Sequence, residues 1–131
     1  MKVNSVMVSI FMSLILVLSL TGCSENDPKQ LIRVTDSEPD IGVITSDKDM
    51  TDIKKMMDNV KWVEGTLKKP NREEDYKFWL EEEGVEERLA NYEVWYEDNQ
   101  TIIFNSTNGK VGELNKSDAQ ILKKYLINTS N

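Results

Sequence analysis

The chain has 131 residues, with 23 acidic against 16 basic side chains, a net charge of −7, no histidine and one cysteine. That size permits one small core, the single cysteine forbids an intrachain disulfide, and the lack of histidine removes the commonest general base and metal ligand near neutral pH. Ser-His-Asp and Cys-His nucleophiles are therefore excluded. Basic residues cluster no further than the pairs Lys54-Lys55, Lys68-Lys69 and Lys123-Lys124 and are interleaved with many acids, which argues against nucleic acid as a partner and against a polybasic lipid patch.

The chain opens with Lys2, continues through the apolar run Val6 to Leu20 and ends that segment in small residues before Cys23. This is the three-part layout of an export signal. The run is short for a bilayer core of ~30 Å, which needs roughly 20 helical residues. Leu20, Thr21, Gly22 and Cys23 fit the lipobox of a bacterial lipoprotein signal peptide, and the segment resembles one. The resemblance implies cleavage between Gly22 and Cys23, an S-diacylglyceryl thioether on Cys23 with N-acylation of its new amino group left open, and a location on the extracytoplasmic face of the cell membrane. Two acyl chains of about fourteen methylenes, at ~0.8 kcal/mol each, give an upper bound on the order of 20 kcal/mol of membrane attachment. Loss of Lys2 with the signal takes the net charge from −7 to −8.

Residues 23–29 read as the lipidated cysteine and a polar tether carrying Pro28. The remainder, 30–131, reads as one domain. Gln30 to Val34 suits a strand, Asp36 to Asp40 a turn, and Ile41 to Thr45 a second extended segment. Ser46 then caps a helix, with Asp49 three residues on. Met50, Ile53, Met57 and Val60 recur on one face of that helix. Lys61-Trp62-Val63 and a loop from Gly65 to Asp75 follow. Tyr76, Phe78 and Leu80 alternate with Lys77, Trp79 and Glu81, a strand with one apolar face.

Glu82 to Asn91 is ambiguous, since Gly84 interrupts it while Val85, Leu89 and the glutamates suit a short helical excursion. Strands are expected over Tyr92–Glu97 and Thr101–Ser106. Asn108-Gly109 predicts a two-residue type I′ hairpin that pairs Ile102–Thr107 with Lys110–Leu114. Asn115, with Asp118, caps a last helix whose buried stripe is Ala119, Leu122, Tyr125 and Leu126. The order predicts an α+β fold, a small antiparallel sheet with two helices packed on one side.

The Thr45-Ser46-Asp47-Lys48-Asp49 helix start, Trp62, Tyr76-Lys77-Phe78-Trp79-Leu80, and Leu114 with its capped helix together resemble the YhfM-like lipoproteins, a family of small lipoproteins of Bacillus and relatives. The resemblance spans roughly residues 31 to 127. It implies a membrane-anchored extracytoplasmic protein and carries over no catalytic residue.

For chemistry, carboxylates alone remain. Glu81, Glu82, Glu83, Glu86 and Glu87 are the densest group and read as a solvated face, because a catalytic acid needs burial to raise its pKa. Asp36, Glu38 and Asp40 alternate like calcium ligands, yet positions six and twelve of that loop are Ile41 and Asp47 instead of glycine and glutamate. No metal or cofactor is called for. Trp79 and Trp95, facing away from Phe78 and Val94, are the candidate binding surface for an envelope protein or polysaccharide. The expectation is a monomeric binding or accessory module of the cell envelope, with no enzymatic role; the alternative is a carboxylate-dependent envelope hydrolase.

Overall fold

The structure, a computed structural model, describes residues 27–36 and 42–129. Gly22, Cys23 and most of the Asp36–Asp40 turn lie outside the described residues. β1 (Gln30–Thr35) and β2 (Gly42–Ile44) are followed by α1 (Asp47–Asp58), then β3 (Lys61–Val63), β4 (Tyr76–Glu82), β5 (Arg88–Tyr96), β6 (Thr101–Asn105), β7 (Lys110–Leu114) and α2 (Lys116–Thr129). The strands form one sheet in the order β2-β1-β4-β5-β6-β7-β3, and every neighbouring pair is antiparallel. The fold is α+β, as the sequence order predicts.

Connectivity puts both helices on one face. α1 leaves the β2 edge and delivers the chain to β3 at the opposite edge, and α2 returns from β7 towards β2. The two helices therefore cross the sheet in opposite directions, and Tyr125 Oη donates to Asp52 Oδ2 at 2.9 Å between them. Beneath them lie Ile32, Val34, Phe78, Val94, Ile103 and Leu114 from the strands, met by Met50, Ile53, Met56 and Met57 of α1 and Ala119, Leu122 and Leu126 of α2. Leu80, on the apolar face expected for its strand, is only partly buried.

Both caps form. Ser46 Oγ accepts from the Asp49 N–H at 3.4 Å, and Asn115 Oδ1 accepts from the Asp118 N–H at 2.9 Å. Each satisfies an N–H that has no partner within the helix.

Three local readings need correction. Lys61–Val63, left outside the strands, is an edge strand paired with β7. It can approach because residue 112 is glycine: a Cβ there would stand 2.4 Å from Val60 Cγ1 and 2.9 Å from Trp62 Cε3. The stretch Glu82–Asn91 holds no helix. β4 runs to Glu82, a turn at Glu83-Gly84 reverses the chain and β5 begins at Arg88, with a register shift between Leu80 and Glu81.

The β6–β7 hairpin is not a two-residue turn. Asn105 pairs with Lys110, so Ser106 to Gly109 form a four-residue loop. Gly109 still supplies a left-handed backbone, φ +72°. The Gly109 N–H donates to the Asn105 carbonyl across the loop at 2.8 Å, and asparagine side chains add to the closure: Asn105 Oδ1 accepts from the Thr107 N–H and Asn108 Oδ1 from the Lys110 N–H, a side-chain route to a turn.

Candidate functional site

The outer face of the sheet carries the two tryptophans singled out as a candidate contact, and it buries them. Trp95 is 0% exposed and Trp79 is 5% exposed. An exposed aromatic surface at these positions is overturned, and the cover is neither a helix nor a sheet edge. The segment after β3 folds back so that the Arg72 carbonyl accepts from Trp95 Nε1 at 3.1 Å. The Lys69 ammonium stands 5.3 Å from the Trp95 ring centroid and 4.9 Å from that of Phe104, and it pairs with Glu93. Glu93 is itself buried on β5, so the ammonium neutralises a carboxylate that would be costly alone.

Trp79 is covered differently. The Arg88 guanidinium lies 4.0 Å from its ring centroid, and its Nε1 donates to Glu81 Oε2 at 2.9 Å. Glu81 also pairs with Arg33 across the β1–β4 ladder. Of the glutamate group expected to be a solvated face, Glu83, Glu86 and Glu87 are exposed in the turn, whereas Glu81 is a structural acceptor. The Arg33 hydrogen bond holds its carboxyl below the usual range. Asp52, Glu74 and Asp75 are lowered in the same way, by Lys48, Lys77 and Arg72. These four are set up to stay ionised, the opposite of what a general acid requires.

Two recesses stand out among the described residues. The larger, of about 510 Å³, opens between the β5–β6 turn and the start of α2. Its walls are polar. Asp98, Asn99 and Gln100 stand on one side, Asn115, Lys116 and Gln120 on the other, with Tyr96 and Lys123 behind. The Lys123 ammonium sits 5.0 Å from the Tyr96 ring centroid, and Tyr76 meets that ring edge-on at 6.1 Å. The Tyr96 hydroxyl is buried with no hydrogen-bond partner among the described residues. Burial, with smaller contributions from Tyr76 and Asp75, pushes its ionisation well above the ordinary tyrosine range.

One ion cluster ties the outer cover to this cleft. Arg72 donates from Nη1 and Nη2 to both oxygens of Asp75 at 3.0 Å, and from Nε to Glu97 at 3.0 Å. Asp75 Oδ2 in turn accepts from the Tyr96 N–H at 2.7 Å. The end of the long loop is thus clasped to the strand whose exit forms the cleft wall.

The second recess, about 260 Å³, is apolar and lies on the helix face at the other end of the sheet, between α1 and strands β1, β4 and β5. It exists because β4 and β5 continue past the helices: Leu80 pairs with Ala90 at this end, and both line it. Neither recess was foreseen from the sequence. The signal available was the length of the strands flanking the Glu83-Gly84 turn relative to the two helices.

Among the described residues, no group of three acidic or cysteine side chains is arranged to hold a metal ion, and no helix is long and apolar enough to cross a membrane. No family model, no curated protein and no solved structure matches the chain.

Proposed function

We propose that this chain is a lipid-anchored module of the bacterial cell envelope, attached through Cys23 and belonging with the YhfM-like lipoproteins, that binds a polar envelope component in the cleft between the β5–β6 turn and α2. The observation that supports this reading is the polarity of the domain. The Lys29 carbonyl accepts from the Glu83 N–H at 2.8 Å, so the chain enters the domain beside the β4–β5 turn. The polar cleft lies past Tyr96, at the far end of β5. Nine strand residues at ~3.3 Å each separate the two ends by about 30 Å. A chain anchored just upstream of Lys29 holds the turn close to the bilayer and turns the cleft away from it.

The cleft suits a ligand rich in hydroxyl and amide groups. Side-chain amides both donate and accept, and charges of both signs, from lysines and from carboxylates, stand around it, so a neutral or zwitterionic partner is favoured over a highly charged one. A glycan chain and a loop of an envelope protein share this chemistry. The domain acts as a monomer in this reading, with no cofactor.

Metabolic labelling with a fatty-acid probe tests the anchor. The parent chain is expected to carry the probe and Cys23→Ser to lose it, because a hydroxyl forms no thioether; equal labelling of the two would sink the lipoprotein reading. Co-sedimentation of the intact chain with purified cell-wall polysaccharide tests the cleft, with Asn99→Ala combined with Gln120→Ala expected to weaken retention. Retention unchanged in that variant would remove the cleft from the function.

A further inference from the structure

The apolar recess lies at the end of the domain where the chain enters. Ile32, Leu80, Ala90 and Tyr92 of the sheet and Ile53 and Met57 of α1 form its walls. Only Lys54 and Asp58 bring charge to its rim. Lys54 Nζ also donates to Gln30 Oε1, which fixes the first residue of β1 at the mouth. Such a recess is wetted in the free domain, and its walls match a flexible alkyl chain better than a polar solute.

We propose that this recess receives one acyl chain of the lipid carried by Cys23. The inference rests on the lipid-anchor reading and deepens it. Reach permits it: Gln30 lies seven positions after Cys23, a span of up to about 23 Å when extended, and Gln30 is already at the mouth. Size permits part of a chain, since the recess has a volume of about 260 Å³ and apolar walls. An acyl chain moving from bilayer to recess exchanges one hydrocarbon environment for another, so the net gain is the water removed from the recess walls. Tethering favours this occupant over free lipid, because a linked ligand meets its site at a high effective concentration.

The consequence is orientation. With one chain held between α1 and the β4–β5 extension and another in the bilayer, the domain is gripped by its own anchor instead of swinging on a loose tether. Val85 after the neighbouring turn and Leu89 at the start of β5, each more than two-fifths exposed, then stand beside the lipid.

The test uses the full chain in its own membrane, with cells fed a diazirine-bearing fatty acid that becomes attached to Cys23. After irradiation, peptide mapping is expected to find adducts on the segments that contain Met57 and Leu80. Ala90→Phe fills the recess and is expected to lower those adducts by roughly tenfold, the ratio that two lost methylene burials produce, with Cys23 labelling unchanged. Ala90→Leu, a smaller intrusion, should lower them less, and circular dichroism of both variants confirms that the sheet is intact. Adducts confined to bilayer lipid while Cys23 carries the probe would overturn the proposal and leave the anchor standing. Absence of the probe from Cys23 would overturn both. Equal labelling of the recess by free diazirine fatty acid added to the acylated parent chain would also overturn it, since the recess would then be open to lipid from outside.

Discussion

The two faces of the sheet are buried by different means. On the inner face, helices lay aliphatic side chains over Val34, Phe78, Val94 and Ile103. On the outer face, Trp79 and Trp95 are covered by Arg88, by Lys69 and by a loop backbone. Long basic side chains can do this because their methylene stems pack on an aromatic face while the charged head stays near water. A residue that alternates to the solvent side of a strand is therefore not an exposed residue.

The sharpest way to break this comparison is to truncate one residue on each face. Leu122, 0% exposed on the buried face of α2, should cost about 2–5 kcal/mol as Leu122→Ala, and Trp95→Ala should cost as much or more, about 3–5 kcal/mol. Urea denaturation of the two variants decides it. A Trp95→Ala loss below about 1 kcal/mol would mean that the loop is a loose cover and that only the inner face is core.

These faces also mark how much the sequence discloses. The helices, their caps and their buried stripes were legible because a 3.6-residue period and Ser46 or Asn115 at the boundary are local signals. The antiparallel sheet followed from the meander of short strands. The burial of Trp95 was not legible, because it depends on a loop 23 residues away supplying the Arg72 carbonyl. Nor was the loop length after Asn105, where two asparagine side chains add to the Gly109 N–H to Asn105 carbonyl bond that closes the turn. Of the candidate site residues, Trp79 and Trp95 turned out to be structural. The cleft arises from elements far apart in sequence, the β5–β6 turn and the start of α2, which no spacing rule connects.

A second test addresses the clasp between the outer cover and the cleft. The Asp75 carboxyl is lowered by Arg72, with a further contribution from the Tyr96 N–H. Its stabilisation is therefore complete above the unfolded value near ~3.9 and is lost as pH falls through the lower folded value. Asp75→Asn should cost about 1–2 kcal/mol at neutral pH, and the gap between variant and parent should close on titration to about pH 2. A gap that persists undiminished in acid would show that the side chain acts through shape alone. If the loop is clasped as described, the same substitution should also raise amide hydrogen exchange at Tyr96, whose N–H donates to Asp75.

The smallest expected effect separates the two tryptophans from each other. Trp95 is sealed by backbone and Lys69 together, whereas over the Trp79 ring lies the exposed Arg88 side chain, 4.0 Å from the centroid, with Glu81 accepting from Nε1 at its edge. Arg88→Ala should therefore cost only ~0.5–1 kcal/mol, yet it should open the ring to solvent. Acrylamide quenching of tryptophan fluorescence reads this directly. With Trp62 and Trp95 replaced by Phe in the background, quenching of Trp79 should rise in Arg88→Ala and be largely restored in Arg88→Lys, whose stem still covers the ring. Arg88→Met, which keeps bulk and loses charge, distinguishes the two parts of the cover. Protection retained in Arg88→Met would assign it to the stem, and protection lost there but retained in Arg88→Lys would assign it to the cation over the ring.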